Sequence, residues 1–205
     1  MPRPIADYAS TMDAAAFQKA IDRFDAENAH DPNLEMGQPH EWLYARRLTD
    51  WVLKLAPEAS EALRLAARCQ HICRWMIPRS THPMTRPGYL RWRNELKQFH
   101  ARKSGEILRE VGYSDEMVQS VQSLNLKTNF PADPESRILE DALCLVFLEF
   151  QFTDLARKTS EDKIINAVQK TWKKMTPLAQ QHALALPLGD AEKSLITRAL
   201  AKPID

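Results

Sequence analysis

The run PESRILEDALCLVFLEFQFTDLAR, residues 134–157, is the most apolar long segment of the chain, and its spacing decides the fold class. Ile138, Asp141, Leu145, Leu148 and Phe152 recur at i, i+3, i+7, i+10 and i+14, which places them on one stripe of a helix. A helix of this character belongs at the centre of a bundle. Asp141 is out of place on that stripe, because a buried carboxylate needs a cation, hydrogen-bond donors or a metal. Its plainer reading is a structural ion pair with an arginine. Glu149, two turns on, reads as a partner for a basic residue.

Working outward, the same periodicity recurs. Residues 13–28 place Phe17, Ile21 and Phe24 on one face, and NAHDPNLEMGQPH follows as a loop. HEWLYARRLTDWVLKLA carries Leu43, Leu48, Trp51, Val52 and Leu55, and Pro57 bounds it. The next helix is expected from Glu58 towards Ile77, because the residue before Pro78 is pushed out of helical geometry. Its apolar stripe is Leu65, Cys69, Ile72, Cys73 and Met76, and Arg64, Arg68, His71 and Trp75 share the other side. PRSTHPMTRPG holds three prolines and reads as an extended segment of the kind that wraps over a site. A long helix from Tyr89 to Val111 ends at Gly112, Ser114 caps a short one, and helices near 160–175 and 190–201 complete the chain. With five glycines and no alternating runs, the chain is expected to be all-α, one helical bundle over 1–205, with the first ~12 and last ~4 residues loose.

Net charge is +1 and excludes nothing, but its distribution is uneven. Residues 64–109 carry eleven Lys and Arg against two Glu, with three of the six histidines and two of the five tryptophans. A basic middle between acidic flanks suits a focused anion site, above all for phosphate, better than coating of a long polyanion. Three cysteines are too few for a disulfide scaffold, and Cys69, Cys73 and Cys144 read as buried reduced thiols. No signal-like or membrane-spanning apolar run is present, so a soluble cytoplasmic protein without a membrane partner is expected.

Within the basic stretch, His71 shares its helix face with Arg68 and Trp75, and Arg74 is close. Like charge around it favours the neutral imidazole that a general base or a ligand requires. A lone helix histidine is also a common structural residue. In RPGYLRWRNELKQFHARK, Tyr89, Trp92, Arg93, Leu96 and His100 fall on neighbouring helical positions. Tyr89 and Trp92 are suited to stack on a base while Arg86 and Arg93 hold phosphate. Interleaved arginine and aromatic residues equally suit single-stranded nucleic acid, and a solvated basic face over a core tryptophan is the plain alternative. The sequences of P-loop, dinucleotide-binding, hydrolase-elbow and zincin motifs are absent.

The stretches FDAENAHDPN, LYARRLTDWVLKLAPEASEALRLAARCQHICRW, IPRS, PMTRPGYLRWR, LEDALCLVFLE and KTWKKM resemble the family known as domain of unknown function 4202, across nearly the whole chain. Met76 stands where that resemblance leads one to expect an acid. At the level of fold, the order of His40, His71, His100 and Asp141 resembles the HD-domain phosphohydrolases, helical bundles that bind divalent metal through histidines and aspartates. That resemblance implies a metal (Mn, Fe or Mg) held by His71, Asp141 and His40, with Glu41 as a substitute carboxylate. The His-Asp doublet would be His71-Ile72, so its aspartate is missing.

The sequence thus leads to an HD-like bundle with a pocket of Arg68, His71, Arg74, Arg79, Arg86 and Arg93, joined by Trp75, Tyr89, Trp92 and His100. A phosphorylated, nucleotide-like small molecule is the expected ligand. His71 is the expected base or metal ligand, and Asp141 orients it or binds the metal. A module binding RNA or a phospho-ligand without catalysis and a protein-interaction scaffold are the alternatives.

Overall fold

A computed structural model describes residues 14–201. The fold is all-α: ten α-helices carry the described chain, with one two-stranded ribbon of two residues a side. Among the described residues no helix is long and apolar enough to cross a membrane. The loose termini expected from the sequence lie outside the described residues.

Helix α1 (Ala14–Asn28) buries Ala20 and Phe24. The loop after it folds into the ribbon, β1 (Leu34–Glu35) pairing antiparallel with β2 (Gln38–Pro39). Met36 and Gly37 turn the ribbon with φ of 54° and 77°, the left-handed pair that a tight two-residue hairpin needs. Asp31 staples this loop to α2 (His40–Leu55): Oδ1 accepts from the Asn33 backbone and amide, and Oδ2 accepts from the Glu41 N–H at 3.0 Å. Glu41 is thereby fixed in the first turn of α2, where the helix dipole favours a carboxylate.

Helix α3 (Glu61–Cys69) opens on a Ser60 cap but stops eight residues short of the expected Ile77. The stop is made at Cys73, which adopts φ 52° and donates its N–H to Asn28 Oδ1 at 3.0 Å. Two short 3-10 turns, Arg74–Met76 and Arg79–Thr81, follow. The single stripe expected through Met76 is therefore broken: Cys69, Ile72 and Cys73 are buried, but Met76 is 60% exposed.

Helix α4 (Arg86–Val111) begins three residues earlier than expected, with Thr85 as cap and Pro87 in its first turn. Gly88 lets the helix start pack onto the Pro83 carbonyl, since a Cβ there would fall 2.1 Å from that oxygen. Gly112 ends it at φ 105°, as expected. Helix α5 (Asp115–Leu126) and α6 (Pro134–Val146) follow. The apolar run does form one unbroken helical rod, but it passes through a π turn at Phe147–Gln151 before α7 (Phe152–Lys158). There Glu149 accepts from the Trp51 indole N–H at 2.7 Å, where a basic partner was expected. Helices α8 (Glu161–Trp172), α9 (Pro177–Leu184) and α10 (Asp190–Ala201) close the chain.

Helices α1 to α6 and α9 enclose the main core, which includes Phe24, Leu48, Leu65, Ile72, Ile107, Leu139 and Leu145. A smaller core of Phe152, Ile164, Ile165, Val168 and Ile196 joins α7, α8 and α10, and Phe147 packs against both. All three cysteines are free and buried.

Candidate functional site

The walls of α2, α4, α6 and the π turn, with the ends of α5 and α8, leave a cavity of about 320 Å³. Its lining includes Arg74, Arg93, Lys97, Lys127 and Lys174, five cations, against the single carboxylate of Glu140. Glu140 is buried and already engaged by both Lys127 and Lys174. Arg93 and Lys97 have no carboxylate within ion-pair distance among the described residues. Burial, then the charges of Lys127 and Arg93, lower the Lys97 pKa. Like charge is therefore crowded at a concave polar wall.

Two imidazoles share the wall. His71 stacks on Tyr44, with ring centroids 4.2 Å apart and planes 13° apart, and lies 5.7 Å from the His100 ring. His100 Nδ1 sits 2.8 Å from the Ile72 carbonyl. Burial, with Arg74 next, pushes His71 down to about 4. Burial and the neighbouring His71 push His100 down to about 3. The sequence reading gave the arginines the main part in this. Enclosure contributes more, and both rings are neutral at physiological pH.

Behind His71 lies Glu41, 4% exposed. Its Oε2 is 3.6 Å from His71 Nδ1, while Oε1 is 3.5 Å from His40 Nδ1 and 3.8 Å from Arg74 Nε. Burial works against ionisation of Glu41, yet the two imidazoles and the Arg74 charge hold its carboxyl down at about 2. A second cavity, lined by Asn33, His40, Glu41, Trp75, Arg79 and Trp92, meets the first at Arg74.

The structure brings together His71, Arg74, Tyr89, Arg93 and His100 at the first cavity, and His40, Glu41, Trp75, Arg79 and Trp92 at the second. Three expected members are elsewhere. Arg68 is turned away and forms a two-pronged pair with Asp25, because α3 ends before its face can continue to His71. Arg86 is exposed in the first turn of α4 and lines neither cavity. Asp141 accepts from the Thr176 backbone N–H at 2.9 Å and from the Thr176 hydroxyl, so it anchors the start of α9 and neither orients His71 nor pairs with an arginine. Trp92 packs inward, its N–H donated to the Ile77 carbonyl at 2.9 Å and its ring covered by Arg74 and Arg79. Arg79 itself donates to the carbonyls of His82 and Pro83 and holds the proline-rich segment in place.

The four-residue metal set is not assembled either. His40 and His71 gather around the Glu41 carboxylate, but Asp141 is committed to Thr176, and Ile72 is buried in the core. Asp31, His40 and Glu41 do place one potential ligand atom each within 4.8 Å of the others. Both Asp31 oxygens already accept hydrogen bonds, and the guanidinium of Arg74 already brings positive charge to Glu41.

Sequence reasoning missed Gln70, Tyr44, Lys127, Glu140 and Lys174 as lining residues. Glu140 is one residue from the suspected Asp141, and Lys174 lies in KTWKKM, but no local spacing connects positions 97, 127, 140 and 174.

No curated protein and no solved structure matches this chain. A family model described as Domain of unknown function (DUF4202) matches residues 18–196, which span the chain from most of α1 to most of α10 and all the residues of both cavities. The resemblance carried by the sequence motifs and this match coincide, and the chain belongs to the DUF4202 family.

Proposed function

We propose that the chain binds a phosphorylated small molecule of nucleotide-like class in the first cavity. The observation that carries this is its charge: five cations face one acid that two of them already engage, and among the described residues Arg93 and Lys97 are left without a carboxylate. Bidentate Arg93 and the ammonium groups suit phosphate oxygens. The cations converge on a concavity, which favours a small ligand over an RNA strand.

The neutral imidazole of His71 supports proton transfer to or from a bound phosphate ester, and the carboxylate of Glu41 lies 3.6 Å from its Nδ1. Such an arrangement supports an atypical relative of the HD phosphohydrolases, and no step is assigned to a metal because the implied ligand set does not fit.

A thermal-shift screen against nucleotides and phosphorylated metabolites, with and without manganese, tests the reading. A melting temperature raised by one phosphorylated class, and unmoved in Arg93→Ala/Lys97→Ala, supports it. Equal shifts in that double variant, or none in the parent, remove it. A shift that requires manganese returns a metal to the site.

A further inference from the structure

The charges that line the first cavity differ in how far they are already matched, and the unmatched remainder bears on how many phosphoryl groups they suit. Arg74 is set aside, because its Nε lies 3.8 Å from the buried carboxylate of Glu41. Four cations remain, Arg93, Lys97, Lys127 and Lys174, against the one carboxylate of Glu140, a net charge of +3. They form two sets. Arg93 and Lys97 stand one turn apart on α4, about 6 Å along its axis, with no carboxylate within ion-pair distance among the described residues. Lys127 and Lys174 come from the ends of α5 and α8 and share a single acid, Lys174 Nζ at 3.1 Å from Glu140 Oε1 and Lys127 on Oε2. Lys97 links the sets, since the charges of both Lys127 and Arg93 act on it. Lys127 also ends α5 at φ 58°, a left-handed conformation where glycine or asparagine is the usual residue. The turn gains nothing from a lysine there, whereas the cavity wall gains an ammonium group.

A phosphate monoester carries about −1.5 to −2 charges at neutral pH. Arg93 and Lys97 match that by themselves, and the lysine pair keeps one positive charge that its shared acid does not cancel. A second phosphoryl group, joined to the first as an anhydride, brings a ligand to about −3, the charge of the whole row. We infer that the ligand carries a diphosphate group, with one phosphoryl on Arg93 and Lys97 and the other on Lys127 and Lys174. The same chemistry is offered by inorganic diphosphate and by a nucleoside diphosphate. A cavity of about 320 Å³ is at the small end for ligand sites and suits a diphosphate with a small organic body. This inference rests on the phosphate reading above and adds the number of phosphoryl groups.

The test is calorimetric titration of the full chain, at fixed ionic strength and without divalent cations, with inorganic phosphate, pyrophosphate, citrate, adenosine 5′-monophosphate and adenosine 5′-diphosphate. Pyrophosphate is expected to bind at least about tenfold tighter than phosphate, and the diphosphate nucleotide at least about tenfold tighter than the monophosphate. Citrate, of similar charge but built of carboxylates, controls for charge alone and should bind at least about tenfold more weakly than pyrophosphate. Two variants assign the preference, with folding checked by circular dichroism. Lys127→Gly removes the ammonium group at a backbone position that glycine adopts without strain. Lys174→Gln removes the other charge from a side chain that is 54% exposed. In each, the preference for pyrophosphate over phosphate should shrink to about threefold or less, while phosphate itself binds within about threefold of its parent value. Adenosine 5′-diphosphate binding tighter than pyrophosphate names a nucleotide as the source, and equal or weaker binding names inorganic diphosphate. A smaller preference than tenfold in the parent overturns the inference and leaves the phosphate reading standing. So does citrate that matches pyrophosphate, or a preference that survives in either variant. Failure of all five probes overturns both.

Discussion

Arg68 and Asp25 meet through two parallel bonds, Nε to Oδ1 at 2.7 Å and Nη2 to Oδ2 at 2.6 Å, that tie α3 to α1 across the main core. The pair is largely buried, with Arg68 the more enclosed partner. Arg68→Ala leaves Asp25 without its counter-charge and should destabilise the fold by about 2–4 kcal/mol, while affinity for inorganic phosphate stays as it is. Urea unfolding beside calorimetry reads both quantities. A loss of phosphate affinity without a loss of stability would return Arg68 to the binding site.

Lys97 should show the reverse pattern. Burial and the charges of Lys127 and Arg93 act against its ammonium. Allowing for its partial exposure, Lys97→Met is expected to leave stability unchanged or raise it by about 0.5–1 kcal/mol, and to weaken phosphate binding about tenfold. A clear fall in the urea midpoint would show that Lys97 is structural.

Stability should fall as the solution is acidified from pH 7 to 5. His71 and His100 have folded values of about 4 and about 3, below the usual 6.5, so the unfolded chain binds more protons in that window. Their contribution is complete above 6.5 and lost as pH falls, on the order of 2 kcal/mol per ring by pH 5. Glu41, held at about 2, adds its loss only below 4.5. His40 runs the other way: Glu41 raises its value, so its contribution is present at low pH and lost on going up. The two enclosed rings outweigh this one half-exposed ring. Urea midpoints at pH 7, 6 and 5 measure the slope, and His71→Gln should flatten it. A protein more stable at pH 5 than at pH 7 would mean that the rings are not neutral.

Thr176 and Asp141 act as one unit at the start of α9, since the Thr176 hydroxyl both donates to Asp141 and accepts from the Ala179 N–H. Thr176→Val and Asp141→Asn should each cost about 1–2 kcal/mol. The double variant should cost less than their sum. Strict additivity in a double-mutant cycle would separate the two residues.

Most of the helices were legible because their apolar residues recur at a local spacing that no distant contact has to complete. Gly112 and Ser114 announced α4's end and α5's start for the same reason. The end of α3 was not legible. It depends on Cys73 taking a left-handed conformation and on Asn28, 45 positions earlier, receiving its N–H. The basic stretch pointed to the cavity and supplied His71, Arg74, Arg93 and His100, but charge alone could not tell which arginines were already spoken for. Arg68 and Arg93 look alike in sequence, and only the approach of Asp25 from α1 separates them. Glu140 and Asp141 are adjacent and both buried, and their different partners, two lysines and a threonine, arrive from other parts of the chain.

The π turn at Phe147–Gln151 has the form of a single extra residue in an otherwise regular rod. Winding the same residues as an ordinary α-helix, with none removed, would turn everything beyond them by about 100° about the rod axis. Leu145 and Leu148 would still face the main core, while Phe152 would no longer point at Ile164 and Ile196. The turn therefore sets the angular phase between the two cores, and with it the direction from which Phe147, Gln151 and the Lys174 end of α8 approach the cavity. In this chain an ordinary helix of the same length would be a mistimed gear: each half still well packed, and the cavity wall between them out of step.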